Sequence, residues 1–358
     1  MKKHSFISHH QFGVSLVELM IALTLGMVIT ILAGSIFAFG SKGFSVQQEQ
    51  SRIQESGRTA LDIVAKIVRT TSSFGCRSDW TVTKIAGYVN WLNASPGYSY
   101  NYGTNPLDTQ LAGYTGTGAG WSPAIPTDLL IPASAGKSSD IITVRGITGN
   151  PAVVLAPFMA TTSDAVTVNT SNGFAANDVL VITNCSISTI FQVSGSPDAT
   201  GTLAHTAGGT PGNQDNTLAT IYGSGSEVYK LATTTFFIAP SQFSTNPSLW
   251  RIVGANAAEE LVENVEKLKI YYGMDPTVGT NYSSRDFAPN FYISANASGI
   301  DMTKVVSVKI QMLVRSPNDN ITKTYQQYTF DSVTPTTATD YRLRSVFTET
   351  ISLRNRIL

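Results

Sequence analysis

The sequence predicts an α+β fold in which a long N-terminal helix packs on an antiparallel β-sheet head with long loop insertions. Three observations predict it. Residues 14–39 form an apolar run, residues 44–69 change to an amphipathic pattern with helical spacing, and from residue 140 onward short β-rich segments alternate with turn residues. A helix with one apolar stripe must bury that stripe, so this element order predicts a helix layer covering one face of a sheet.

The apolar run is the first element. Between Gly13 and Gly40 lie 26 residues, of which Glu18 alone is ionisable. About 20 apolar residues suffice to cross a bilayer. The sequence therefore predicts a transmembrane or filament-core helix over residues 14–40, after a leader whose lysines keep it cytoplasmic. Small residues recur at every fourth position and would allow close helix packing. The alternative is that membrane helices are in any case rich in Gly and Ala. The stripe consists of Ala22, Gly26, Thr30, Gly34 and Ala38.

Residues 41–75 continue as an amphipathic helix. Its apolar stripe consists of Ile53, Gly57, Ala60, Leu61, Val64, Ile67 and Val68. No proline precedes Pro96, so residues 14 to about 72 are predicted to form one nearly continuous helix of about 90 Å at 1.5 Å per residue. Gly40 and Gly43 mark the expected bend.

Residues 76–358 are predicted to form the β-rich head. The predicted strands are 140–146, 165–169, 178–182, 227–238, 305–316, 325–330 and 347–355, while 261–275 is expected to begin with a helical turn and end as a strand. Two loop regions, 77–138 and about 195–226, are rich in Gly, Ser, Thr and Asn. The aromatic residues of the first loop either form a contact surface or pin the loop onto the head.

Glu18 needs a partner, because a charge inside a bilayer costs about 3 kcal/mol or more. The order G-V-S-L-V-E-L at residues 13–19 resembles the class III signal of type IV pilins. The resemblance implies cleavage between Gly13 and Val14 by prepilin peptidase, N-methylation of Val14, and pairing of Glu18 with the terminal amine of a neighbouring subunit. The family usually has Phe where this chain has Val14. An ordinary signal peptide is the alternative, but its apolar core is shorter and its cleavage site follows that core.

Segments of the head resemble the PilW family of type IV minor pilins: residues 52–76, 139–146, 177–193, 261–275, 305–316 and 342–357. The resemblance implies a structural subunit in a tip or priming complex that supports pilus assembly, twitching motility, adhesion or DNA uptake. The implied partners are other minor pilins, the major pilin, prepilin peptidase, the inner-membrane assembly platform and a tip adhesin. The implied location is the inner membrane, as a single-pass protein with a periplasmic head, and then the extracellular pilus.

Other functions remain as alternatives. A pseudopilin of a type II secretion system follows the same N-terminal rules. A glycan- or surface-binding adhesin is compatible with a pilin, and its binding site would lie in the Tyr- and Trp-rich loops. A membrane-anchored periplasmic enzyme is disfavoured, because removal of residues 1–13 leaves His205 as the only histidine, too few for a catalytic triad or a His-rich metal site. No cofactor or metal is expected, although calcium at residues 275–286 is left open. Removal of the leader lowers the basic count from 24 to 22 against 24 acidic residues, a net charge of −2, so no direct nucleic-acid binding is expected.

Two cysteines, Cys76 and Cys185, occur in the chain. In an exported protein a pair of cysteines indicates one disulfide, here closing a loop of about 110 residues and contributing up to about 4 to 5 kcal/mol by the chain-entropy model. Two buried free thiols are the alternative. His205 is interpreted as a solvated loop residue.

Overall fold

The computed structural model describes residues 15–74, 88–93, 110–276 and 288–356. The chain divides into two compact units, residues 1–51 and residues 52–358. One 54-residue helix, α1 (Leu16–Arg69), begins in the first unit and ends in the second. It confirms the predicted long helix, and Gly40 and Gly43 lie inside it in helical conformation.

The head consists of short and long strands with few helical turns. In the described residues its helices are α2 (Pro197–Thr200) and the 3-10 turns Thr127–Leu129, Met302–Lys304 and Arg354–Arg356. The strands are β1 (Tyr88–Asn90), β2 (Leu111–Gly116), β3 (Trp121–Ser122), β4 (Ile141–Val153), β5 (Val166–Thr167), β6 (Val179–Thr183), β7 (Ser188–Gln192), β8 (Thr202–Leu203), β9 (Glu227–Pro240), β10 (Pro247–Val253), β11 (Glu259–Glu263), β12 (Val265–Met274), β13 (Phe291–Ile293), β14 (Val305–Arg315), β15 (Gln327–Tyr328), β16 (Thr336–Thr337) and β17 (Arg344–Ser352).

Two main sheets organise these strands. The first sheet has the order β1-β7-β6-β9-β4-β2-β3, with β10 on the second half of β9 and β11 on β10. The second sheet has the order β13-β12-β14-β17 and is antiparallel throughout. The one parallel pair among the described strands is β1 with β7. The predicted α+β class with a largely antiparallel sheet is therefore confirmed.

The main core lies where the second half of α1 meets both sheets. The predicted stripe is buried as expected at Ile53, Ala60 and Val64, and it packs in one cluster with Phe236 of the first sheet and Ile310 of the second. Each fully buried aliphatic side chain of this kind stabilises the fold by about 1.5 to 3 kcal/mol. The amphipathic half of α1 is thus an integral layer of the head.

The C-terminal end of α1 is fixed by backbone contacts with β4. The Ser72 amide donates to the Arg145 carbonyl at 3.1 Å, and Thr71 forms an antiparallel bridge with Gly146. A Cβ on Gly146 would lie 2.2 Å from the Thr70 carbonyl oxygen, so only glycine permits this approach. From the far end of the chain, the Arg356 Nε donates to the Ser72 Oγ at 3.0 Å.

A charged cluster around the buried Arg344 joins the second sheet to the segment before β17. Arg344 donates through Nε to Glu266 at 2.7 Å, and its two terminal nitrogens donate to the carboxylate of Asp340. The hydrogen bonds from Arg344 lower the pKa of Asp340 below its usual value. Pairing is required here, because a buried charge without a partner is costly.

Residues 152–228 contribute a second core of their own. Val166, Phe191, Leu203 and Tyr222 are fully buried there. The interpretation of His205 as a solvated residue is wrong: it is 4% exposed, its Nε2 lies 3.0 Å from the Asp164 carbonyl oxygen, and its ring packs edge-on against Phe191 at 5.9 Å. The Gly- and Thr-rich composition correctly indicated a loop, but this loop segment, which follows β8, packs its histidine against the second core.

Two further expectations need correction. The helical turn expected at the start of 261–275 is wrong, because β11 and β12 are both extended and join at Asn264 with a φ of 70°. The first loop region contains β1, β2 and β3, so it has more regular structure than expected. Tyr88 is buried against Phe74 at 5.1 Å between ring centroids, which favours the interpretation that the aromatic residues pin this region onto the head.

Candidate functional site

The N-terminal turn of α1 is built as a capped helix start. The Oγ of Ser15 accepts the backbone N–H of Glu18 at 3.1 Å, and the Ser15 carbonyl accepts the N–H of Leu19. Ser at the N-cap with Glu three residues later is the sequence of a capping box. The carboxylate therefore lies in the first turn, where the helix dipole favours negative charge by about 0.3 to 1 kcal/mol.

The surface around Glu18 is apolar and exposed. The large aliphatic and aromatic side chains of this segment are more than half exposed, for example Leu16 at 74% and Phe37 at 78%. Among the described residues, α1 is the one helix long and apolar enough to span a membrane. Burial of such a surface requires lipid or other helices, so this part of α1 is the candidate functional site.

Polar groups inside the apolar segment are satisfied locally. The hydroxyls of Thr24, Thr30 and Ser35 donate to the carbonyls of Ile21, Gly26 and Leu32 at 2.8–2.9 Å. Hydroxyls that bond back to their own helix impose little cost in lipid. The carboxylate of Glu18, in contrast, would need a partner outside the helix when this surface is buried. A Cβ added at Gly26 or Gly34 would meet nothing within 4 Å, which leaves room for a closely packed neighbour.

The other residues singled out in the sequence are only partly described. Gly13, Val14 and Cys76 lie outside the described residues, so cleavage, methylation and the Cys76–Cys185 disulfide remain predictions. Cys185 follows β6 in a turn with a φ of 65°, and its N–H donates to the Thr183 Oγ1 at 3.1 Å. No group of three or more His, Cys, Asp or Glu side chains that could hold a metal occurs in the part of the chain that the structure describes.

The long apolar helix, with one acidic residue in its first turn and its second half packed on a β-sheet head, is consistent with a pilin-like α+β fold. Residues 8–34 match the model of the prokaryotic N-terminal methylation motif, and residues 235–355 match that of type IV pilus-assembly protein W. The chain is therefore similar to type IV pilus-assembly protein W over its C-terminal third and carries the N-terminal methylation motif of prepilins. No curated protein and no solved structure is similar enough to the chain to count as a match.

The two matches cover different parts of the molecule. The methylation motif includes Glu18 and the start of α1, and the second match runs from the middle of β9 to the end of β17, including the whole second sheet. Both families are structural components of pilus assembly. The chain therefore combines an N-terminal helix that begins in a methylation motif with a C-terminal region similar to type IV pilus-assembly protein W, while the second core around Phe191 lies outside both matches.

Proposed function

We propose that the protein is a low-abundance structural subunit that enters a type IV pilus through α1 and acts in a tip or priming complex with other minor pilins. The observation that carries the proposal is Glu18, held in the capped first turn of an exposed apolar helix. In this proposal the leader, residues 1–13, is removed between Gly13 and Val14, and Val14 is N-methylated. Residues 14–40 anchor the chain, residues 41–75 support the head, and residues 76–358 form it.

Assembly is driven by pairing of charges. A processed subunit waits in the inner membrane with its carboxylate unpaired, at a cost of about 3 kcal/mol. Docking of α1 beside a neighbouring subunit brings the neighbour's terminal amine to Glu18, and two opposite charges buried together cost far less than either alone. Because the carboxylate has a fixed place in the first turn, this contact sets the axial register.

The proposed partners follow from this mechanism. They are prepilin peptidase, the inner-membrane assembly platform, other minor pilins, the major pilin and a tip adhesin. The chain begins as a single-pass inner-membrane protein with a periplasmic head and ends in the extracellular pilus. Twitching motility, adhesion or DNA uptake would depend on it through assembly. We propose no catalytic role. The match to type IV pilus-assembly protein W favours a pilus over a type II secretion pseudopilin.

The test replaces Glu18 by Ala and uses Glu55→Ala as the matched control, because Glu55 is an exposed glutamate on the head half of the same helix. We expect the mass of the N-terminal peptide to show methylated Val14 in both variants. We expect sheared pili to contain about tenfold less of the Glu18→Ala chain, corresponding to about 1.4 kcal/mol, and normal amounts of the control. Normal incorporation of Glu18→Ala would refute the register role, and an intact Met1 would refute the processing.

A further inference from the structure

The second sheet has an outer face that α1 does not cover. Leu268 and Ile270 of β12 point into the main core, so the alternate residues Lys269 and Tyr271 point outward. On β14 they are paired with Gln311 and Lys309, respectively. A cavity of about 430 Å³ opens on this face, lined chiefly by Tyr271, Tyr292, Lys309, Gln311 and Asp331. We call it the outer-sheet pocket; its volume lies in the range of about 300 to 1,000 Å³ typical of small-molecule sites.

One side of the outer-sheet pocket is held rigid by paired charges. The Lys269 Nζ lies 3.2 Å from Asp331 and 3.7 Å from Asp140, and the Tyr271 hydroxyl donates to Asp331. Burial, together with the bond to Asp331, raises the pKa of Tyr271, so this hydroxyl stays a donor at neutral pH. These groups already have partners and form the wall of the pocket.

The other side offers one acceptor without a hydrogen bond and one ammonium group without an ion pair, within the described residues. The Gln311 Oε1 is buried and accepts no hydrogen bond. The Lys309 Nζ lies 5.9 Å from the centroid of the Tyr271 ring and has no ion pair among the described carboxylates. An unsatisfied buried acceptor costs about 1 to 3 kcal/mol, and a ligand that donates to Gln311 would recover that energy.

An exposed aromatic ring completes the pocket. Tyr292 of β13 is 37% exposed, and its hydroxyl is fixed by the Ser307 Oγ at 3.0 Å. A ring held at one end presents its apolar face to a ligand at low entropic cost. The pocket therefore combines an apolar platform with an acceptor and a donor that lie two residues apart on the same face of β14.

We propose that the outer-sheet pocket binds a saccharide. A sugar ring presents an apolar C–H face that can pack on Tyr292, and each of its hydroxyls both donates and accepts, so neighbouring hydroxyls satisfy Gln311 and Lys309 together. A purely apolar ligand would leave Gln311 unpaired, and a polyanion would meet the Asp331 carboxylate. The proposal does not depend on incorporation into a pilus, because binding is a property of the head.

The test measures binding of three defined probes to the purified full-length mature chain in detergent, by saturation-transfer NMR and calorimetry. Cellobiose, chitobiose and sialyllactose represent neutral, N-acetylated and carboxylated sugars, each at up to about 10 mM, which detects dissociation constants near 1 mM. We expect at least one probe to bind. Gln311→Leu and Tyr292→Ala should each weaken that binding by about tenfold.

Matched controls come from the same part of the chain. Gln327→Leu and Tyr325→Ala change exposed residues that do not line the pocket, and they should bind as the unmodified chain does. Gln311→Leu should keep the thermal midpoint, because it removes a buried acceptor that has no partner. Absence of binding by all three probes would overturn the proposal, as would binding that either pocket variant leaves unchanged. A defect in pilus incorporation would bear only on the assembly role.

Discussion

The contact between the end of α1 and β4 gives the sharpest prediction, through Gly146→Ala. The new Cβ would lie 2.2 Å from the Thr70 carbonyl oxygen and 3.0 Å from its carbonyl carbon. Both atoms belong to the backbone, so no side chain can rotate away and the helix end must shift by about 1 Å. Such overpacking costs about 1 to 3 kcal/mol, and loss of the Ser72 to Arg145 hydrogen bond adds about 1 kcal/mol.

The lower backbone entropy of alanine in the unfolded chain opposes this steric cost, but its effect is smaller. Glycine inside a strand is worse than alanine by about 0.5 to 1 kcal/mol because of its backbone entropy. The net expectation is that Gly146→Ala lowers the free energy of unfolding by about 2 kcal/mol. For a head of this size, 1 kcal/mol shifts the midpoint by about 2 to 4 °C, so we expect a fall of about 4 to 8 °C.

The assay is thermal unfolding of the detergent-solubilised mature chain, followed by circular dichroism. Gly120→Ala is the matched control, because a Cβ there would meet nothing within 4 Å, and it should unfold at or slightly above the normal midpoint. Hydrogen exchange should also show faster exchange of the Ser72 amide in Gly146→Ala. A midpoint for Gly146→Ala within about 1 °C of the control, smaller than the shift expected from 1 kcal/mol, would refute the steric reasoning.

Two further predictions concern the charged cluster and the cysteines. The pKa of Asp340 is lowered in the folded head. The contribution of Asp340 to stability is therefore present above the unfolded pKa and is lost as pH falls through the folded pKa. Asp340→Asn should lose less stability than the unmodified chain between about pH 4 and pH 2, and parallel acid-unfolding curves would contradict this expectation. With Cys76 and Cys185 bonded, Cys185→Ser should lower the free energy of unfolding by up to about 4 to 5 kcal/mol. Peptide mapping of the native chain under non-reducing conditions checks the bond directly, and free thiols at both cysteines would exclude it.

Much of the fold could be predicted from local patterns. The period of about 3.6 in residues 52–68 places Ile53, Ala60 and Val64 on one face, and that face is buried. The longest β-rich segments, 227–238 and 305–316, correspond to β9 and β14. These predictions succeeded because the alternation of apolar and polar residues is set by the geometry of the element itself. The secondary structure of residues 261–275 could not be predicted in the same way, because the two strands that meet at Asn264 carry charged residues at spacings that also suit a helix.

The candidate site was predicted through its motif and apolar surface. Glu18 stands out because an ionisable residue in an apolar run is costly wherever the run is placed. The capping role of Ser15 could also have been anticipated from its spacing to Glu18. The outer-sheet pocket could not be predicted from the sequence, because Tyr271, Tyr292 and Gln311 come from three strands and no local pattern brings them together.

The sequence by itself determined the fold class of the molecule: a long apolar helix with one internal carboxylate, followed by a largely antiparallel head. Only the tertiary structure decided that His205 is buried, that Gly146 meets the end of α1, and that Ser72 accepts a hydrogen bond from Arg356, 284 residues away along the chain. The reason is physical. Helix and strand periodicity are properties of a few consecutive residues, whereas burial and close approach depend on which distant strands become neighbours, and that choice minimises the free energy of the whole core.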